Sequence, residues 1–568
     1  MHRHRIPARY FPLLLLLFMI ACQQTVPKPK EKQLVADPES IDAVVQKNIQ
    51  EQVQYAAEHN GSLSDSSMLK YARLVKQYYE AVEHKPVWSS MEKWKPFANA
   101  FFTYLDRSAE DGLFKSDYHF ASLVALKKSL DEDSVKRTDA VLWTKADILL
   151  TDAFMHVVQD LKQGRLQPDS MSWANDAGKY FSFFSGQLDK LIKNEPLDSV
   201  FKKLQPTLNG YWELKKGIRK FLDSMDTRQY TYVPYPYKQN DQKDSAAFVK
   251  KLITRLSESG LAEKNQTVDS LQLATIIKKY QQKKKLTADG KLSSSLIKLL
   301  NTTDIERFNR IAITLDRYKQ MPEKMPEKYI LVNLPGFYLQ LWDSDTINFT
   351  SKVICGKPAT STPFITSAIN NIVIFPTWTV PTSIIKKEML PGLKRNPGYL
   401  ARKGLKLYNS KGEVVDPYSV NWAKYSKGIP YKIQQGSGED NALGVIKFNF
   451  DNPFDVYLHD TNQRYLFKKS MRALSHGCVR VQEWEKLAFY IIRNDSLQMA
   501  EKKDTIRYTT DSITNWIAEK ERHRLEIKNR LPLFIRYFGC EGVNGTIVFY
   551  DDIYDEDKKA KEKFFAIK

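Results

Sequence analysis

The chain has 568 residues, and 86 Lys and Arg against 66 Asp and Glu give a formal charge of +20. With 42% apolar and 27% charged residues, a wholly disordered, collagen-like or coiled-coil chain is excluded, and at about 150 residues per domain there is material for roughly three or four cores. The basic excess suits an anionic partner, whether nucleic acid, membrane or cell wall, or is ordinary solvated surface charge. The four cysteines, Cys22, Cys355, Cys478 and Cys540, are too few for a disulfide scaffold and include no CxxC pair that would suggest zinc.

Taken in chain order, the first segment reads as an address. Arg3, Arg5 and Arg9 precede the apolar run from Phe11 to Ala21. A membrane-spanning helix needs about twenty apolar residues, so residues 1–21 are expected to be a signal peptide. Met19-Ile20-Ala21-Cys22 resembles the lipobox of bacterial lipoproteins, with Met where Leu is usual. That resemblance implies a diacylglyceryl thioether on Cys22 and a membrane tether; an ordinary secretory signal followed by an incidental Cys is the alternative. Residues 22–40 carry three prolines and mixed charge and are expected to be flexible.

Residues 41–230 show helical spacing and are read as a helical scaffold domain. Met68, Tyr71, Ala72, Val75, Tyr78, Tyr79 and Val82 form one stripe, with Ser64 or Asp65 offering the N-cap. Ala146 to Leu161 forms a second helix ended by Gly164, and Tyr230 to Tyr237 is a Pro-punctuated linker. Within 240–302, Phe248, Leu252, Ile253 and Leu256 are periodic, Gly260 offers a cap, and a second helix runs from about Leu271 to Lys284. The Tyr280-Gln281 pair, the Asp289-Gly290 turn and the closing Leu296 to Asn301 resemble the small peptidoglycan-binding domain. Ser293, Ser294 and Ser295 stand where that family often has Gly and Thr, so a binding module and a structural spacer both stay open.

From about 326 the period becomes two. Ile330, Val332 and Leu334 alternate, Pro335-Gly336 turns, and Phe337, Leu339 and Leu341 alternate again, a hairpin by pattern and turn chemistry. Further strand-like runs fall at 351–355, 371–375, 445–450, 455–459 and 545–550, so the C-terminal half is expected to be mainly β. Residues 383–430, rich in Lys, Pro, Gly and Tyr, are expected to form an inserted lid. The charged residues Asp551 to Lys568, with a tail at 556–568, are expected to fray. The fold class is therefore α+β and multidomain.

One stretch carries chemistry. Tyr457-Leu458-His459-Asp460-Thr461 is followed by Ser475-His476-Gly477-Cys478-Val479-Arg480-Val481. A thiol is a poor nucleophile until it becomes a thiolate, and a nearby imidazole can make it one, so Cys478 and a histidine form a candidate pair for acyl transfer. Gly477 lets the backbone pack closely enough for N–H groups to point at an oxyanion. A buried packing cysteine is the plain alternative. His459, His476 and Cys478 lack a fourth ligand at helical or CxxC spacing, so no metal is expected.

His459, a gap of fifteen residues, then Ser475-His476-Gly477-Cys478-Val479-Arg480 resembles the signature of the L,D-transpeptidases with a YkuD-type catalytic domain, with Arg480 in the form found in large multidomain members. Ile330 to Pro335, Gly356-Lys357-Pro358, Thr362-Pro363, Trp378, Val380-Pro381, Asn441-Ala442-Leu443-Gly444 and Asp551-Asp552-Ile553-Tyr554 agree, as do Pro86-Val87-Trp88, Asp147 to Thr151 and Gly164-Arg165 upstream. The resemblance covers about 303–555 as the catalytic domain and extends into the scaffold.

It implies a peptidoglycan cross-linking enzyme of the bacterial cell envelope, on the periplasmic side, acting on donor and acceptor stem peptides with no cofactor and no nucleic acid. Cys478 would attack the carbonyl of a third-position diamino acid, release the terminal D-alanine and hold a thioester. The amine of a second stem, water, or an envelope protein being attached to the wall would then resolve it; a non-catalytic peptidoglycan-binding lipoprotein is the rival reading. His459 would be the general base, oriented by a backbone carbonyl near Asp460. The amides of Gly477 and Cys478 would serve the oxyanion, with His476 shaping the loop. Ser475 and Arg480 would support the pocket or hold a stem carboxylate, and Tyr457 and Trp378 would wall the groove or pack in the core. Cys355 and Cys540 would be buried thiols or a disulfide.

Overall fold

The computed structural model describes residues 28–167, 171, 173, 176–234, 242–264, 266–426 and 428–565. The expected signal peptide, Cys22 and the start of the tether lie outside the described residues. Among the described residues no helix is long and apolar enough to cross a membrane. The chain divides into two units: Met1–Asp106, Lys115–Gln159 and Asp169–Val200 make the first, and Arg107–Phe114, Asp160–Pro168 and Phe201–Lys568 the second.

The first unit is helical. Its helix Pro38–Glu58 starts with Asp37 accepting from the Glu39 amide and Pro38 in the first turn, where a missing N–H costs nothing. The helix expected from Met68 begins instead at Ala72, and Met68 is exposed. A remote carboxylate holds the chain just before the helix: Asp152 accepts from the amides of Lys70 (3.0 Å) and Tyr71 (2.8 Å), and the N-cap residue Tyr71 makes no side-chain capping bond. Ser64 is engaged with Gln52 and Asp65 accepts from Ser67. The long helix Ala140–Lys162 carries Asp147, Thr151 and Asp152 at helical spacing on a buried face.

In the second unit, helices Gln242–Glu258, Ser270–Lys283 and Ser294–Asn301 close a small core of Leu252, Ile253, Ile276, Tyr280, Ile297 and Leu300. Gln281 donates to Asp289 (2.7 Å) and accepts from the Gly290 amide (2.8 Å), and Gly290 has φ +74°. The Gln and Asp-Gly signature therefore has a structural cause, and Ser293 caps the last helix through the Leu296 amide. From Phe201 the chain belongs to this second unit. Tyr211, Leu214 and Ile218 of helix Asn209–Asp223 bury one stripe against Tyr318, Phe538 and Cys540.

The remaining chain is a barrel with an insertion. Its strands are β1 (Lys328–Asn333), β2 (Tyr338–Asp343), β3 (Thr346–Gly356), β4 (Ile365–Ile374), β5 (Trp378–Thr379), β6 (Leu405–Tyr408), β7 (Val414–Val415), β8 (Lys432–Gln435), β9 (Ile446–Phe450), β10 (Leu458–His459), β11 (Ala473–Ser475), β12 (Val479–Val481), β13 (His523–Arg536), β14 (Cys540–Val543) and β15 (Thr546–Phe549). Eight strands pair in the order β3-β12-β10-β9-β4-β13-β1-β2, and β2 pairs with β3 to close the ring. Closure removes the edges that an open sheet would expose. Ile330, Val332, Leu339, Leu341, Phe448, Leu458, Val479, Leu533 and Ile535 fill the inside, helped by Leu487, Ile491 and Ile492 of helix Trp484–Glu501.

The C-terminal half is thus less purely β than expected, since 484–501 and 510–518 are helical. Strand β13, absent from the expected runs, is the longest in the barrel, with a bulge between Glu526 and Leu531 and Pro532 within it. The insertion between β4 and β9 is wider than 383–430. Its sheet β5-β8-β6-β7 covers a core of Val380, Leu393, Leu400, Leu407, Trp422 and Ile433, so it spans about 378–435. The tail does not fray: helix Glu556–Phe564 is anchored by buried Asp557, ion-paired with Arg310 and Arg317, and by Phe565 against Ala312 and Ile313. Cys355 and Cys540 are separate buried thiols rather than a disulfide.

Candidate active site

Strand alternation sets the site. Leu458, Val479, Val481, Ile446 and Phe448 point into the barrel, so His459, Arg480 and Lys447 face outward. Register then aligns them: Lys447 lies opposite His459 on β9 and β10, and His459 opposite Arg480 on β10 and β12. Tyr457 sits two residues before His459 and meets its ring edge-on at 5.5 Å between centroids. The Lys447 ammonium lies 4.0 Å from the centre of the Tyr457 ring. Cys478 immediately precedes β12, beside Tyr457, and its thiol donates to the Asp455 carbonyl at 3.8 Å.

The electrostatics are those of a dry, cationic face. Burial, and secondarily the Arg480 charge, push His459 down to about 3, although the carbonyls of Asp460 and Leu443 favour its proton. Burial also raises the Cys478 thiol, opposed by the Tyr457 amide and hydroxyl and by the Lys447 charge. Burial lowers both Lys447 and Arg480. At neutral pH the site therefore rests with a thiol on Cys478 and a neutral imidazole on His459. That fits a base that takes a proton as the bond forms, rather than a preformed thiolate–imidazolium pair. His459 Nδ1 and Arg480 Nε are buried without a hydrogen bond of good geometry, while Arg480 Nη1 donates to Gln463 (3.1 Å). Trp378 contacts the site through the Tyr457 hydroxyl, which its indole N–H approaches.

The turn that presents Cys478 is held from several sides. Ser475 Oγ donates to the Cys478 carbonyl (2.6 Å) and accepts from the Gly477 amide (3.1 Å). Gly477 has φ +125°, a conformation that a Cβ would strain. The Gly477 N–H donates to Ser475, whereas among the described residues the Cys478 amide takes no partner. Behind the turn, buried Thr362 donates to the Gly477 carbonyl (2.7 Å) and accepts from the Gly356 amide (2.9 Å), and the Tyr554 hydroxyl donates to the Gly356 carbonyl (2.6 Å). Asp460 accepts from the Val445 amide (3.1 Å) and from Arg464, and packs against Gly444 (φ +61°), where a Cβ would overlap its carboxylate. Asp460 thereby fixes the loop that brings the Leu443 carbonyl to His459.

His476 bonds Glu388 of the insertion, which also reaches Lys357. The structure brings Cys478, His459, Tyr457, Trp378, Arg480, Asp460 and Ser475 to one region, together with Lys447, Thr362 as a positioning residue, and Glu388, which the sequence did not single out. A cavity of about 1000 Å³ lies between the three-helix module and the barrel, at Ser293, Phe337 and Arg472, and contains none of these residues. Among the described residues no group of His, Cys, Asp and Glu could hold a metal ion.

Comparison with known proteins names this arrangement. Residues 327–497 match the model of the L,D-transpeptidase catalytic domain, YkuD, and residues 73–218 match a scaffold domain. Over residues 327–497 the chain is thus similar to the L,D-transpeptidase catalytic domain, YkuD. A curated protein of Haemophilus influenzae described as a putative L,D-transpeptidase is 32% identical over 250 residues, covering 44% of this chain and 48% of its own length. The chain thus spans about half the length of the curated relative it matches. A solved structure, the Ldtfm–avibactam carbamoyl enzyme, is 10% identical over 37% of this chain and 49% of that chain, with a TM-score of 0.17. The YkuD match contains Cys478, His459, Lys447 and the whole insertion.

Proposed function

We propose that the protein is a peptidoglycan L,D-transpeptidase of the cell envelope, joining third-position diamino acids of two stem peptides through a thioester on Cys478. The observation that carries this reading is the placement of Cys478, Tyr457 and neutral His459 on one outer face of the barrel. Cys478 attacks the scissile carbonyl while its proton passes to His459. The carbon–nitrogen bond to D-alanine then breaks, and the imidazolium returns the proton to the departing amine. The Cys478 amide is the donor best placed for the oxyanion. The insertion, held to the catalytic turn through Glu388 and His476, covers the bound stem. A lipid on Cys22 tethers the enzyme to a membrane beside its anionic wall substrate.

Incubation of the purified protein with disaccharide-tetrapeptide, followed by mass spectrometry, tests the reading. A Cys478 adduct lacking D-alanine and a cross-linked dimer are expected. Free tripeptide without dimer would make water the acceptor and the protein an L,D-carboxypeptidase. No adduct would leave a non-catalytic wall-binding role.

A further inference from the structure

A thiolate buried against protein needs a positive charge nearby, and in a cysteine–histidine pair the imidazolium usually supplies it. Here the imidazole is flanked on both sides by cations in the same cross-strand row: Lys447 on β9 and Arg480 on β12. A proton on His459 would be the third positive charge in that row. The role of counter-charge must then fall to one of the flanking cations.

Lys447 has the right position. Its ammonium sits over the Tyr457 ring at 4.0 Å, and the hydroxyl and amide of the same tyrosine approach the Cys478 sulfur. The side chain is half-buried, and among the described residues it makes no ion pair or hydrogen bond. The charged and titratable groups that face it are Cys478 and Asp455, which favour its charge, and Arg524 of β13, which opposes it. Those facing Cys478 are Lys447, Tyr457 and Asp455, with Arg480 beyond. Arg480 already spends one nitrogen on Gln463, whereas the Lys447 ammonium, over the Tyr457 ring, makes no hydrogen bond or ion pair among the described residues.

Building on the transpeptidase reading, we propose that Lys447 is the counter-charge of the Cys478 thiolate, acting through space while His459, neutral at rest, accepts the proton. The step balances without Lys447 gaining or losing a proton: the sulfur–hydrogen bond breaks to His459 and the sulfur–carbon bond forms. The ammonium lowers the energy of the charge that appears on sulfur between those events.

The test needs no peptidoglycan. The rate of Cys478 carboxamidomethylation by iodoacetamide is followed from pH 5 to 10 by peptide mass spectrometry on the full chain, for wild type, Lys447→Met, Lys447→Gln and Lys447→Arg. Met and Gln should raise the apparent pKa of Cys478 by about 1, slowing alkylation at neutral pH roughly tenfold, while Arg stays within about threefold of wild type. Two neutral variants of different polarity guard against a folding defect in one, with circular dichroism as the check. Wild-type alkylation profiles in both neutral variants would overturn the proposal. So would an unchanged profile joined to a raised KM for tetrapeptide, which would make Lys447 a reader of substrate carboxylate. Because alkylation is independent of turnover, an inactive protein that still shows the shift would refute the transpeptidase reading and leave this one standing.

Discussion

Asp147 in the helical unit and His459 on the barrel are both buried titratable groups, 1% and 4% exposed, and their surroundings differ in kind. Asp147 accepts from the Tyr79 hydroxyl (2.6 Å) and from the amides of Val87 (2.9 Å) and Trp88 (2.9 Å), and Thr151 bridges Tyr79 to the Trp88 indole. Burial pushes its carboxyl up, and these donors pull it back. His459 has an unpartnered Nδ1 and cationic neighbours. Buried polar groups are normally satisfied, so a residue left short marks a place where something other than stability is being served. Asp147 spends its hydrogen-bonding capacity on holding a loop to a helix. His459 keeps capacity in reserve for a proton that arrives during the reaction.

The strongest way to break that contrast is to remove each group. Cys478→Ala and His459→Gln should each reduce acyl-enzyme formation by about a thousandfold or more while shifting unfolding at pH 7.5 by less than about 1 kcal/mol. Asp147→Ala should do the reverse kind of damage. It strands one hydroxyl and two amides away from water, at a cost of about 3 kcal/mol to the helical unit, read from its denaturant midpoint. Near-wild-type stability in Asp147→Ala, or a large loss in His459→Gln, would erase the distinction.

The same contrast explains what could be read from the sequence. The hairpin at β1 and β2 was legible because Ile330, Val332, Leu339 and Leu341 alternate across Pro335-Gly336. Strand β13 was hidden by its bulge and by Pro532, which break the period although register with β1 and β4 continues. The start of helix Ala72–Ala81 was misplaced because the chain before it is held by Asp152, which comes from far along the chain, and not by a local cap. In the site, His459 and Ser475 to Arg480 share one short motif. Lys447 stands in another strand, as one polar residue in Ile446-Lys447-Phe448, and only register brings it beside His459. The charged tail looked solvated because the partners of Asp557, Arg310 and Arg317, are more than two hundred residues away.

A pH series sharpens the comparison at lower amplitude. His459 titrates near 6.5 when unfolded and near 3 when folded, so between those values the unfolded chain binds the extra proton. Stability contributed by the neutral imidazole is complete above about pH 6.5 and is lost as pH falls toward 3, amounting to about 2 kcal/mol by pH 5. Wild type should therefore lose about 2 kcal/mol more than His459→Gln between pH 7.5 and 5, measured by urea unfolding of the barrel. Parallel curves for the two proteins would mean that His459 is hydrated or paired in solution.

The smallest effect concerns Thr362, where the two kinds of burial meet. Its hydroxyl is fully used, like Asp147, yet what it holds is the turn that presents Cys478. Thr362→Val keeps the shape and removes the hydroxyl, leaving the Gly356 amide and the Gly477 carbonyl short of a partner at a cost of about 1–2 kcal/mol. Because the Gly477 carbonyl precedes the nucleophile, part of that cost should appear as displacement of Cys478 from its attacking position. Acylation should slow about tenfold with KM little changed, since the stem still binds, and Thr362→Ser should restore the rate. A Val variant that is destabilised but acylates at the wild-type rate would place Thr362 with Asp147, as a holder of the fold that the chemistry does not feel.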